Sequence, residues 1–371
     1  MSIPASDDLL FKISATLIPG VGNMLAKSLV SYCGGFKEIF LEKKSSLEKI
    51  PGVGSVTAEK ILKFNDFKRA EEEIKFIDKY QIAAYSYLDK EYPERLRNCL
   101  DSPVMLYFKG QADLNTPRNI AIVGTRKATP YGRTITEQLV ADLSAYNVTV
   151  TSGMAYGIDI AAHKQAVKSN VATIAVLGHG LDRIYPATHH ATAEKMLHHG
   201  GLLSEYLSQT NPDRENFPTR NRIIAGMTDC IIVVEAAKSG GALITAEIAI
   251  SYNRDIFAIP GRVEDEHSQG CNQLIKANKA MLIENAEDIA NALGWNDKKI
   301  PEKKSFQAKL FIELKPDEKT VFNYIINNDE CSIDALCLGC ELTMSRTSAA
   351  LLGLEFASLI KSLPGKRYKC L

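Results

Sequence analysis

Between residues 118 and 283 six short apolar runs recur: Asn119–Gly124, Val148–Ser152, Ala172–Leu177, Cys230–Glu235, Asp255–Ala258 and Ala280–Ile283. Gly or polar residues bound each one, and amphipathic stretches of helix length separate them, among them Tyr131–Ala145, Ile158–Ser169 and Ala242–Tyr252. Continuous apolar runs suit strands buried on both faces, and their alternation with helices predicts a parallel sheet covered on either side. The fold class expected is therefore a doubly wound α/β domain. Residues 81–117, which contain Tyr92-Pro93-Glu94-Arg95-Leu96 and Leu106-Tyr107-Phe108, lead into it.

The N-terminal segment carries a repeat. Ile18-Pro19-Gly20-Val21-Gly22 returns as Ile50-Pro51-Gly52-Val53-Gly54, and the apolar positions that follow pair up as Ala26 with Ala58, Leu29 with Ile61 and Val30 with Leu62. Each copy reads as a Gly-rich turn opening a helix, so residues 1–80 are expected to form an α domain of two helix–hairpin–helix units. Neither Gly-x-Gly follows a strand or has the third glycine of a dinucleotide fingerprint, since Leu25 and Thr57 stand there. Such turns let main-chain N–H groups approach a phosphate, or they serve as protein-packing modules; the residues leave both readings open. Trp295–Pro316, rich in Lys and Pro, reads as a linker. Beyond it three helical segments and the Pro364-Gly365-Lys366 turn predict a winged helix. The expected boundaries are 1–80, 81–296, a linker at 297–316, and 317–371.

The 371 residues are 45% hydrophobic and 24% charged, an ordinary globular composition with no apolar run near membrane-spanning length. The acidic start, Ser2 to Asp8, shows no signal-peptide pattern, and a cytoplasmic location is expected. Net charge is zero, which argues against coating nucleic acid by bulk charge but not against a local basic cleft. Only Arg69, Arg346 and Arg367 lie outside residues 81–300, so the middle segment is where an anionic ligand is expected. Cys337-Leu338-Gly339-Cys340 has CxxC spacing, with Cys331 and Cys370 as the remaining candidate ligands. Without a His after His267 a metal site is not expected.

Three segments follow apolar runs, at the sheet edge where open α/β proteins bind ligands. They are Gly124-Thr125-Arg126 leading into Pro130-Tyr131-Gly132, Ser152-Gly153 before Gly157-Ile158-Asp159, and Ser239-Gly240-Gly241-Ala242 before Thr245 and Glu247. Phe217-Pro218-Thr219-Arg220-Asn221-Arg222 adds guanidinium groups and a ring, a combination suited to single-stranded nucleic acid. The plainer reading is that Phe217 caps a helix and the arginines form internal salt bridges. Asp159 and His163 are four apart, more suited to a helix cap and a packed histidine than to acid–base work. His189, His190, His198 and His199 lack HExxH spacing and suit a solvated helical face. No GxSxG or Walker-type loop occurs, and no catalytic residue is expected.

Together these segments resemble the DprA/Smf DNA-processing family. The matching stretches are Ala121–Arg126, Ser152–Asp159 with Ala162-His163, and Ala175–Gly178 with Leu181-Asp182 and Tyr185-Pro186. They continue with Phe217–Gly226, Ser239–Gly241 with Thr245-Ala246, and Ala258–Gly261, spanning about residues 85–290. Thr125 replaces a commoner Ser, and Gly241 stands where many members have Ser. The resemblance implies an extended Rossmann-like domain that binds single-stranded DNA and dimerises. It also implies protection of incoming DNA and loading of the RecA recombinase onto strands covered by single-strand-binding protein, during natural transformation and recombination. No cofactor is implied. The DNA-binding set expected is Gly124, Thr125, Arg126, Ser152, Gly153, Phe217, Arg220, Asn221, Arg222, Ser239, Gly240, Gly241 and Thr245, with Phe217 or Tyr131 stacking on a base. An enzyme reading competes: Ser239-Gly240-Gly241 with Glu247 is similar to the PGGxGTxxE pattern of the lysine-decarboxylase-like phosphoribohydrolases, although Leu243-Ile244 replace its Gly-Thr pair. A third reading is an adaptor whose terminal domains bind only protein.

Overall fold

The computed structural model describes residues 5–295, 314–328, 330–357 and 359–370. The expected linker at 297–316 lies outside the described residues apart from its last three positions. Two compact units are present, Met1–Leu282 and Ile283–Leu371. Among the described residues no helix is long and apolar enough to cross a membrane.

The first unit begins with helices α1 (Ala5–Leu17), α2 (Asn23–Cys33), α3 (Phe36–Ile39), α4 (Lys44–Leu47), α5 (Ser55–Leu62) and α6 (Phe67–Tyr80). The repeat is conformational as well as sequential. Gly20 and Gly52 both adopt φ +85°, which a side chain resists, while Gly22 and Gly54 both start the following helix at φ −86°. The symmetry stops at its third pair: Val30 is 6% exposed and its counterpart Leu62 is 45% exposed.

The chain then builds a nine-stranded sheet from β1 (Ala83–Ser86), β2 (Met105–Gly110), β3 (Asn119–Val123), β4 (Thr149–Ser152), β5 (Ala172–Leu177), β6 (Gly201–Ser204), β7 (Cys230–Val233), β8 (Asp255–Ala258) and β9 (Met281–Leu282). Its helices are α7 (Glu94–Arg97), α8 (Pro130–Leu143), α9 (Ile158–Lys168), α10 (His190–Met196), α11 (Asn216–Met227), α12 (Gly241–Ser251) and α13 (Gln269–Lys276). The strand order is β1-β2-β6-β5-β4-β3-β7-β8-β9, parallel from β6 to β9 and antiparallel at β1 and β2. From β3 the chain winds outward through β4, β5 and β6, then returns to place β7 on the other side of β3. The carboxyl ends of β3 and β7 are thus the topological switch point, where the connections diverge and leave a crevice.

The N-terminal helices share a core with the outer strands. Ile13, Leu29, Ile39, Leu47 and Ile61 pack with Val104, Met105 and Tyr107 of the β2 region. Polar contacts follow the seam. Glu73 accepts from the Ser208 N–H at 2.9 Å, Arg69 donates to the Ser208 carbonyl at 2.6 Å, and the Val104 N–H donates to Asn23 Oδ1 at 2.9 Å.

In the second unit α14 (Ala286–Ala292) opens on an Asn285/Asp288 capping box. The winged helix follows as α15 (Pro316–Asn328), β10 (Glu330–Ser332), α16 (Ile333–Gly339), α17 (Met344–Phe356), β11 (Ile360–Leu363) and β12 (Arg367–Cys370), in sheet order β10-β12-β11. Val321, Ile325, Leu336, Leu351 and Leu354 fill its core. Arg346, the one basic residue of α17, is held by Asp317 through Nε at 2.9 Å and Nη2 at 2.6 Å, while Leu352 and Phe356 are exposed. With its one basic side chain already paired, α17 is poorly suited to a nucleic-acid groove. Cys337 Sγ lies 3.4 Å from Thr347 Oγ1, and Cys340 Sγ lies 3.9 Å from the Thr320 carbonyl. Among the described residues no three His, Cys, Asp or Glu side chains converge on a metal position.

Candidate nucleic-acid interface

A cleft of about 560 Å³ opens at the switch point. Ten of the expected binding residues line it: Gly124, Thr125, Arg126, Phe217, Arg220, Asn221, Ser239, Gly240, Gly241 and Thr245. Ser152, Gly153 and Arg222 do not. The Ser152 hydroxyl donates to the Ile122 carbonyl at 2.6 Å, and the Gly153 carbonyl accepts from Arg220 Nη1 at 2.9 Å. Arg222 turns to the opposite side of α11 and pairs with Glu205, which also accepts from Asn23 Nδ2 at 3.5 Å. Here the internal salt-bridge reading describes the side chain. Arg220 sits at the cleft floor but is only 3% exposed. It donates to the carbonyls of Gly153 and Val176, and Asp159 faces it.

The two glycine-rich loops differ in what they leave free. After β3, the Thr125 N–H donates to the Glu235 carbonyl at 2.7 Å, and the Thr125 carbonyl accepts from the Ile158 N–H at 3.2 Å. The N-terminus of α8 is also taken. Thr129 Oγ1 accepts from the Gly132 N–H at 3.1 Å, and buried Glu235 accepts from the Thr129 N–H at 3.0 Å and from its hydroxyl. A protein carboxylate thus occupies the position expected to receive a phosphate. After β7, Ser239, Gly240 and Gly241 are exposed, and α12 starts without a side-chain cap. Its N–H groups therefore remain available to an anion in the cleft. Thr245 is buried, its hydroxyl donating to the Gly241 carbonyl at 2.9 Å.

Two exposed guanidinium groups reach the cleft, those of Arg126 and Arg214. Among the described residues neither has a carboxylate at ion-pair distance. The Arg126 guanidinium lies 5.6 Å from the Phe217 ring centre, and Tyr185 packs beside that ring. Arg214 and Tyr185 were not in the expected set. Arg214 lies in the loop before α11, outside any helical spacing, so only its proximity to Phe217 in sequence hinted at it.

Asp159 and His163 do not form an acid–base pair directed at the cleft. Asp159 accepts from the Ala155 N–H at 3.3 Å, and burial raises its carboxyl against the opposing pull of Arg220. His163 Nδ1 meets Thr173 Oγ1 at 2.7 Å beneath the sheet, and burial, then the nearby Arg220 and His189, hold its imidazole at about 3. The folded state therefore binds the His163 proton more weakly than the unfolded chain does. Its stability contribution is complete above the unfolded value of about 6.5 and declines by roughly 1.4 kcal/mol per pH unit as pH falls from there toward 3. Thermal unfolding of His163→Asn is expected to depend less on pH between 7 and 5 than the parent does. Parallel curves would refute a buried neutral ring.

Residues 83–294 match DNA recombination-mediator protein A, and residues 312–366 match the DprA winged helix domain. The chain belongs to this DNA recombination-mediator family. Among relatives, it is 29% identical to Protein Smf of Synechocystis over 98% of this chain and 99% of that one. The structure of DNA processing protein A from Streptococcus pneumoniae superposes with a TM-score of 0.67 at 31% identity, covering 78% of this chain and 98% of that one. DNA processing protein A from Helicobacter pylori, described by its single-stranded DNA binding mode, gives a TM-score of 0.52 at 30% identity over 57% of this chain and 95% of that one. The expected α/β sheet with a C-terminal winged helix is the architecture of this family.

Proposed function

We propose that the switch-point cleft binds the backbone of single-stranded DNA without reading sequence, and that the protein acts in the cytoplasm as a recombination mediator. In this reading it forms a homodimer, protects incoming strands during natural transformation, and loads RecA where single-strand-binding protein has coated the DNA. Its domains in this reading are the N-terminal helices (1–80), the α/β domain (81–296) with which they share a core, a linker (297–316) and the winged helix (317–371). The observation that carries the reading is one cleft holding the N-terminus of α12, which has no side-chain cap, and the guanidinium groups of Arg126 and Arg214, without an ion pair among the described residues, in a chain of zero net charge. The H. pylori protein's description supports the choice of ligand. The hydrolase reading has less support, because Glu247 is exposed outside the cleft lining and pairs with Lys279 at 2.7 Å.

The test is anisotropy of a labelled oligo-dT strand and a matched duplex at two salt concentrations, with the single strand expected to bind more tightly. Arg126→Ala is expected to weaken binding of unrelated sequences alike and to reduce the slope of log K against log salt by roughly 0.7, one phosphate contact's worth. An unchanged slope in a folded variant would remove Arg126 from the phosphate contacts. Equal affinity for strand and duplex would remove the central claim.

A further inference from the structure

The aromatic groups around the cleft differ in how much ring surface they leave free. Phe217, one of the two rings expected to stack, is already engaged. The Arg126 guanidinium lies 5.6 Å from its centre, and the Tyr185 ring lies 5.9 Å away at 37°. Gly178 approaches so closely that a Cβ there would sit 3.1 Å from Phe217 Cδ1. Tyr131 is exposed, but its hydroxyl is tied to the Pro260 carbonyl at 3.1 Å, and it is not part of the cleft lining. Tyr185 is the aromatic residue that both lines the cleft and remains half open, at 48% exposure, with Phe217 behind it.

Resting on the single-strand reading above, we infer that Tyr185 is a nucleobase-stacking platform. It takes the base next to the phosphate held by Arg126, and Phe217 serves as its support rather than as the stacking ring. Arg126 and Tyr185 line the same cleft, their guanidinium and ring 5.6 and 5.9 Å from the Phe217 ring centre, and so offer a cation and an open ring to the phosphate and base of one strand. Every base has a π-face, so such a contact adds affinity without sequence preference. A ring held from behind has little freedom left to lose when a base settles on it.

The test compares an oligo-dT strand with an abasic sugar–phosphate strand of the same length at low salt, using Tyr185→Ala, Tyr185→Phe and Arg126→Ala. Tyr185→Ala is expected to weaken oligo-dT binding roughly 5- to 150-fold, the range of one base–aromatic stack, and to leave abasic binding unchanged. Tyr185→Phe keeps the ring and is expected to retain both affinities, while Arg126→Ala weakens both strands. The platform is overturned if Tyr185→Ala leaves oligo-dT binding intact, or weakens both strands equally. It is also overturned if Tyr185→Phe loses as much as the alanine variant. A parent chain that binds neither strand overturns the single-strand reading itself, and the platform with it.

Discussion

Arg220→Ala is expected to destabilise the first unit by about 3–5 kcal/mol, the range found when one member of a buried ionic pair is removed. The guanidinium is 3% exposed, donates to the carbonyls of Gly153 and Val176, and faces Asp159, which is buried with it. Burial lowers the guanidinium to about 10, so it stays charged at neutral pH. Truncation leaves two carbonyls without their donor and, at the cleft floor, a carboxyl without its cation. Urea unfolding at pH 7 measures the loss, which is expected in the midpoint with the slope unchanged. Adding Asp159→Asn is expected to recover part of it, because the orphaned carboxyl is then gone. A loss below about 1 kcal/mol, the scale of a single ordinary hydrogen bond, would mean that Arg220 is not the counter-charge it is taken to be.

Gly157→Ala is expected to damage stability and strand binding together. Gly157 starts α9 at φ +81° and ψ −122°, a conformation that a side chain resists at a backbone cost of about 1–3 kcal/mol. A Cβ there would also overlap the Thr125 carbonyl oxygen and the backbone of Arg126. The second effect displaces the loop that presents Arg126, so oligo-dT affinity is expected to fall at least as far as in Arg126→Ala. Gly54→Ala is the control, since Gly54 has φ −86° and open space around its Cα. If Gly157→Ala bound like the parent, the loop's position would not depend on this close approach.

Much of the sheet was legible because its parallel strands are buried on both faces. Ala172–Leu177 and Asp255–Ala258 appear as apolar runs with the same limits as their strands. Gly201–Ser204 was missed: four residues opening on a glycine give no period, and the strand exists because β5 offers an edge. The antiparallel outer strands follow from tertiary packing under the N-terminal helices, which a local pattern does not carry. At the site, the sequence indicated which loops converge but not which hydrogen-bond donors stay free. Glu235 decided that for α8, and a lone acid at a strand end carries no such signal. Arg220 and Arg222 were grouped because they are close in sequence. Two positions apart on a helix they lie about 200° apart around its axis, so one ligand cannot readily use both.

That opposition within α11 also bears on what the N-terminal helices hold in place. Arg220 and Asn221 answer to the cleft, whereas Arg222 answers to Glu205 and, through it, to Asn23 at the first N-terminal hairpin. Losing the N-terminal helices would take Asn23 away from Glu205 but leave the Arg222–Glu205 pair in place on the helix that forms the cleft wall. Residues 23, 205 and 222 therefore form one chain of contacts spread over three distant stretches of sequence, while Arg220, only two positions from Arg222, is held by the carbonyls of Gly153 and Val176 at the cleft.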